Sequence, residues 1–202
     1  MPAMRIRHSS LVRRLLVAVL FALIIFAAGV VPSRAQEPAP EDAVKAAMLY
    51  NFVQFVSWPD SAGPAMEEGV VLGILGRDPL QEWLFDLAAE GGRRGSLKTV
   101  QLESLQDLHA QKHRLQVLYI GRTAQQDIEV ILQILNGMPV LTVCNDALFV
   151  KQGGMMNFVR HNSRIRFDLN LDAARRSHLK FSSRLYGLAR LIVKDGVAQE
   201  GR

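Results

Sequence analysis

The densest group of chemically able side chains lies near the C-terminus. Ser182-Ser183-Arg184 opens a helical pattern, with Arg175, Arg176 and Lys180 close by in sequence. A helix start offers unpaired backbone N–H groups, hydroxyls add donors, and a guanidinium adds charge. Ser182, Ser183 and Arg175 could therefore hold a small anionic or aromatic ligand. Capping by the serines and solvation of the bases explain the same residues without one. Asp168 and Asp172 bracket Leu169-Asn170-Leu171. Paired carboxylates can exchange protons, but the alternation here reads them as a strand-end residue and a helix cap. His109 and His113 are four apart, a spacing zinc sites use. No third ligand stands out, and Lys112 and Arg114 crowd them with positive charge, as on a solvated helix face.

Gly73-x-x-Gly76 sits between a strand pattern and a helix pattern and invites a dinucleotide. The full G-x-G-x-x-G spacing is absent, no Walker lysine follows, and Pro79 removes a backbone donor that a phosphate would need. A tight strand-to-helix turn accounts for the glycines. There is no G-x-S-x-G elbow. The sole cysteine, Cys144, follows the apolar run Val140-Leu141-Thr142-Val143, so it reads as a small core residue and no intramolecular disulfide can form. These residues point to no catalytic group, no metal and no cofactor.

The elements that must position them begin with Val44 to Asp60, VKAAMLYNFVQFVSWPD. Its apolar residues cover more than one face, which predicts a helix buried on most sides and stopped by Trp58-Pro59. Glu41 and Asp42 precede it, where negative charge suits the helix dipole. Val70 to Gly76 reads as a strand buried on both faces, followed by Asp78 as N-cap, Pro79 at the first helical position, and a helix to about Ala89 stopped by Gly91-Gly92. The pattern repeats: strand Lys98 to Leu102, helix Ser104 to His109, strand Gln116 to Gly121, helix Thr123 to Leu135, strand Pro139 to Val143. Met155 to Arg160 and Arg164 to Leu169 flank Asn162-Ser163 and predict a hairpin at an antiparallel edge of the sheet. A short helix, Asp172 to His178, comes next. A final helix is predicted from Ser182 or Ser183 through Val193, with Leu185, Leu188, Ala189 and Ile192 inward. The expectation is a single three-layer α/β domain over residues 36–202: a mainly parallel central sheet, an antiparallel hairpin edge and flanking helices.

The chain has 202 residues and a formal charge of +5. Residues 1–35 contain Arg5, Arg7, Arg13, Arg14 and Arg34 and no acidic residue, so the remainder is neutral. A nucleic-acid binder would carry its excess charge in the folded body, which argues against a nucleic-acid partner. The arginines precede the apolar run Leu15 to Val31, and Ser33-Arg34-Ala35 fits a small-x-small cleavage site. Residues 1–35 therefore read as a secretory signal peptide, or as an uncleaved membrane anchor, since the run is near the lower limit for spanning. Either reading exports the body, in a bacterium to the periplasm.

Lys45-Ala46-Ala47-x-Leu49-Tyr50-Asn51-Phe52-x-x-Phe55-Val56-x-Trp58-Pro59 resembles the opening signature of the YfiR family of periplasmic regulators. Further segments resemble it in order: Val71 to Asp78, Pro139 to Val143, Gly153 to Phe158, Arg166 to Leu171 with Ala173-Ala174, and Leu179 to Leu185 with Leu188-Ala189. Together they span about residues 42 to 194. The resemblance implies a non-enzymatic α/β protein that holds down an inner-membrane diguanylate cyclase through its periplasmic sensor region. That action lowers cyclic-di-GMP and biofilm formation. An OmpA-like outer-membrane lipoprotein would release the hold, and a homodimer is a further expectation. Some relatives carry redox-tuned cysteine pairs, and Cys144 alone departs from that. Phe55, Trp58, Pro59 and Arg184 are the expected partner contacts, because aromatics and arginine are common interface anchors. Core packing is the competing role for Phe55 and Trp58. A periplasmic small-ligand binding module using Ser182, Ser183 and Arg175 is the alternative, and an exported enzyme is a third. A cleft with convergent polar groups would favour these, and a flat apolar patch the regulator.

Overall fold

The computed structural model describes residues 39–62, 69–90 and 97–201. The expected leader (1–35), part of the loop before Gly69 and the Gly91-Gly92 stop lie outside the described residues. The first helix, α1 (Glu41–Phe52), carries Glu41 and Asp42 in its first turn. Lys45 is buried beside them, its Nζ 2.6 Å from Glu41 and 3.7 Å from Asp42. The lysine holds the Glu41 carboxyl below the usual carboxylate range. Ala46, Leu49 and Phe52 face the core, while Ala47 and Asn51 leave one exposed stripe. The α-helix stops sooner than Trp58-Pro59: a 3-10 turn, Val53–Phe55, leads into a two-residue strand β1 (Val56–Ser57).

The repeating part follows as β2 (Val70–Leu75), α2 (Leu80–Glu90), β3 (Leu97–Leu102), α3 (Leu105–Gln111), β4 (Val117–Ile120), α4 (Ile128–Ile134) and β5 (Leu141–Cys144). Ser104 caps α3, its hydroxyl accepting from the Asp107 N–H at 3.2 Å. The predicted helix from Thr123 is α-helical only from Ile128; Arg122–Asp127 is 3-10. Then come β6 (Met156–His161), β7 (Arg164–Asn170), α5 (Leu171–Arg176), β8 (Lys180–Phe181), α6 (Ser183–Tyr186), β9 (Leu191–Lys194) and β10 (Val197–Glu200).

Eight strands form one sheet in the order β10-β9-β7-β6-β5-β4-β2-β3. From β3 to β6 all pairings are parallel, β6–β7 and β9–β10 are antiparallel, and β7–β9 is parallel. This is the expected mainly parallel α/β sheet between helical layers. The β6–β7 hairpin turns at Asn162-Ser163, whose φ of 49° and 59° suit a type I′ turn. It is not the outermost element, because β9 and β10 extend the sheet beyond it.

That extension corrects the predicted final helix. Only Ser183–Tyr186 is helical; Leu188 is 55% exposed, and Ile192 lies in a strand. Leu191-Ile192-Val193 has β-prone residues, the exposed edge of β7 supplies backbone partners, and Asp195-Gly196 (φ 52° and 75°) turns the chain back. Local helical spacing lost to these tertiary pairings.

Strand alternation divides the core between the two sheet faces. Leu72, Ile74, Val117, Tyr119, Leu141 and Val143 meet the face covered by α1, α2, α5 and α6. Leu75, Leu118, Ile120 and Cys144 meet the face covered by α3 and α4. Full burial of each large apolar side chain contributes roughly 1.5–3 kcal/mol before entropy is counted.

Candidate functional site

A second, two-stranded sheet places the predicted contacts. β1 pairs antiparallel with β8, Val56 opposite Phe181 and Ser57 opposite Lys180. The Ser182 N–H donates to the Phe55 carbonyl at 2.9 Å, continuing the ladder. Residues more than 120 apart in sequence thus become neighbours, and Phe55, Trp58, Pro59, Ser182, Ser183 and Arg184 share one short ribbon and its ends. Val56 and Phe181 point inward and anchor it, with Leu179 and Leu185 buried on either side. Phe55 and Trp58 are half-buried against the same core. Both pack against the core while keeping part of their surface accessible. Ser57, Lys180, Ser183, Arg184 and Leu188 are exposed.

Two polar groups in the ribbon are buried without a hydrogen-bond partner among the described residues: Trp58 Nε1 and Ser182 Oγ. An unpaired buried donor or acceptor costs about 1–3 kcal/mol, so this is a local polar deficit. Ser182 stands at the N-cap of α6, but its side chain makes no capping bond. Arg175 is engaged elsewhere. Its guanidinium contacts Asp172 at 2.6 Å and Asp195 at 3.1 Å, joining α5 to the β9–β10 turn. Asp172 also accepts the N–H groups of Gly196 and Asp195 at 2.8 and 3.0 Å, which hold its carboxyl below the usual range. Asn170, not Asp172, caps α5, accepting from the Ala173 N–H at 2.8 Å.

A polar row went unseen in the sequence. Asp168 is 1% exposed and is gripped by Arg190 through two contacts, 2.9 Å from Nε and 2.6 Å from Nη2. Asn157, opposite it on β6, donates to the same carboxylate at 3.3 Å. No local pattern pairs residues 168 and 190; the β7–β9 register does. Asp78 behaves as expected, with Oδ1 accepting from Leu80 N–H at 3.0 Å. Its Oδ2 also accepts from Arg122 N–H at 3.3 Å, tying the loop after β2 to the loop after β4. Gly76 lies in that turn at φ 75°, and a β-carbon there would sit 2.7 Å from Thr123 Oγ1. This explains the glycine as a turn and a close approach. Cys144 is fully buried, and burial pushes its thiol up to about 11.

The described residues line a half-open cavity of about 710 Å³ between α4 and the C-terminal part of α5. Gln125, Gln133, Asn136 and Gln152 line it above Leu132 and Met155. Ser182, Ser183 and Arg175 do not line it. Among the described residues no group of three or more His, Cys, Asp or Glu side chains could hold a metal ion, and no helix is long and apolar enough to cross a membrane.

A family model described as YfiR/HmsC-like matches residues 42–190. No curated protein matches the chain. Among solved structures, a conserved domain protein from Vibrio cholerae superposes with a TM-score of 0.54 at 14% identity, covering 76% of this chain and 60% of that one. An ABC domain from Streptococcus pneumonia, solved in complex with L-Trp, superposes with a TM-score of 0.55 at 8% identity and the same coverages. At these identities the likeness is one of fold, and the chain spans about 60% of the length of each structure.

Proposed function

The chain belongs to the YfiR/HmsC-like family, and from that premise we propose that it is an exported regulatory binding protein that restrains a membrane-bound diguanylate cyclase. It acts in the periplasm on the cyclase's sensor region and lowers cyclic-di-GMP and biofilm formation. The observation that carries this reading is the β1–β8 ribbon. It draws the two ends of the matched region into one surface, with half-buried aromatics Phe55 and Trp58 beside exposed Arg184 and Leu188. Interfaces are commonly built this way, with aromatic and arginine anchors at the centre. Pro59, Ser182 and Ser183 complete the contact face, and a docked partner can satisfy the Trp58 and Ser182 groups after a small shift of the ribbon.

Restraint requires differential affinity. The protein lowers cyclase activity only to the extent that it binds the inactive sensor more tightly than the active one. An OmpA-like outer-membrane lipoprotein would compete for the regulator, and homodimers would compete or cooperate according to which face they use.

The test is cellular cyclic-di-GMP after deletion of the gene and after its restoration. Deletion should raise the nucleotide, and restoration with residues 1–35 in place should lower it. Restoration with Arg184→Glu and Leu188→Asp should not, although the variant accumulates and melts like the parent. Unchanged nucleotide on deletion, in cells that express the gene, would sink the proposal. The small-ligand alternative draws support from the cavity beside α4 rather than from Ser182, Ser183 and Arg175. A saturable ligand that fills the cavity, with no cyclase captured, would favour it.

A further inference from the structure

At the N-terminal ends of the parallel strands lies a second cleft, of about 480 Å³, whose lining among the described residues contains Lys98, Lys112, His113 and Arg114 and no carboxylate. The cations come from separate elements. Lys98 is on β3, directly opposite Val71 of β2. Lys112, His113 and Arg114 form the 3-10 turn that ends α3. The end of a helix favours positive charge, which accounts for the turn residues but not for Lys98 on a different strand. Among the described residues none of Lys98, Lys112 and Arg114 joins an ion pair, although Lys45, Arg160, Arg175 and Arg190 all do.

The floor has a different chemistry. Val71, Leu115, Met138 and Val140 make it apolar. Gln116 is fixed within it: its Oε1 accepts the Val71 N–H at 2.8 Å, leaving the amide NH2 as a positioned donor. Three cations converging on a small space favour a multiply charged anion. An arginine fork and two ammonium groups suit a phosphate, whose oxygens accept several charge-assisted bonds at once. The apolar floor suits an uncharged body attached to it, and the volume is that of a small-molecule site.

We propose that this cleft binds a small phosphate monoester, with Lys98, Lys112 and Arg114 on the phosphate and the Val71–Leu115–Val140 floor under its organic body. The site is separate from the partner ribbon, and the proposal stands whether or not the regulatory reading does.

Titration of the purified protein with phenyl phosphate, inorganic phosphate and benzoate, followed by calorimetry and by amide NMR, tests it. Phenyl phosphate should bind saturably at about 0.15 M salt, where loose surface attraction is screened. It should bind more tightly than inorganic phosphate or benzoate, and it should shift the Gln116 side-chain amide. The double variant Lys112→Gln, Arg114→Gln should weaken binding at least about tenfold while its thermal melt stays at the parent value. Lys98→Gln should weaken it in the same direction. Arg164→Gln, at the start of β7, should leave it unchanged. Absence of saturable binding at that salt, equal affinity for benzoate, or full affinity in the double variant would each overturn the proposal.

Discussion

The two ends of the parallel strands are built on opposite principles. In open α/β sheets the ligand crevice is usually at the carboxyl ends of the strands, where the strand order reverses. Here that point is between β2 and β4, and it is closed: Asp78 bonds the Arg122 N–H, and Thr123 Oγ1 accepts the Arg77 N–H at 2.8 Å. The same level of the sheet continues through Cys144, Asn157 and Asp168, all buried and opposite one another in register. Among the described residues the N-terminal end is open, and its charges are exposed or half-buried around a cleft. The closed end pairs Asp78 and Asp168 with groups from neighbouring segments and so contributes stability, although the side-chain oxygens of Gln101, Asn145 and Asn157 are buried there without a partner among the described residues. The open end keeps its polar groups available, which is where binding can occur.

This contrast predicts a graded mutational response. Arg190→Ala should have the largest effect, because it leaves the buried Asp168 carboxylate without its counter-charge and with only the Asn157 amide as partner. Breaking a buried pair costs about 3–5 kcal/mol, and chemical denaturation should show a loss of that order. A loss under 1 kcal/mol would mean the closed end is not held as described. Asp78→Ala removes a helix cap and the acceptor for a second loop, so about 2–3 kcal/mol should be lost. In a protein of this size that is roughly 4–12 °C in melting temperature.

Acid should loosen the β9–β10 hairpin before the parallel core. Asp172 holds the turn at Asp195-Gly196, and those N–H groups depress its pKa. A carboxylate with a depressed folded pKa contributes stability above its ordinary value near 4, and that contribution is lost as pH falls through the folded value. Amide exchange should therefore show Val197–Glu200 opening first on acidification, and Asp172→Asn should abolish that pH dependence. The smallest effect should come from Lys112→Gln with Arg114→Gln: within about 0.5 kcal/mol of the parent, since no ion pair or buried contact among the described residues depends on either charge. A large loss there would erase the distinction between the two ends.

Much of the fold was legible because its signals are local. Continuous apolar runs marked β2, β4 and β5 as strands buried on both faces. Asp78-Pro79 marked the start of α2, and Asn162-Ser163 marked a hairpin. The candidate site was only half legible. Aromatic and arginine residues singled out Phe55, Trp58 and Arg184, but nothing local says that residue 55 lies beside residue 182. Arg175 shows the converse: its sequence neighbours suggested a shared site, whereas Asp172 and Asp195 hold it in another.

By itself the sequence determined the alternation of strand and helix, the two-sided burial of the central strands and the family signature, because each follows from residue type and short spacing. Tertiary structure alone decided that Leu191 to Lys194 would be strand instead of helix, that Asp168 would find Arg190, and that the ends of the domain would meet in the β1–β8 ribbon. Backbone groups at a sheet edge must find partners, and a buried charge must find its counter-charge. Both demands are met by neighbours in space, which no local pattern specifies.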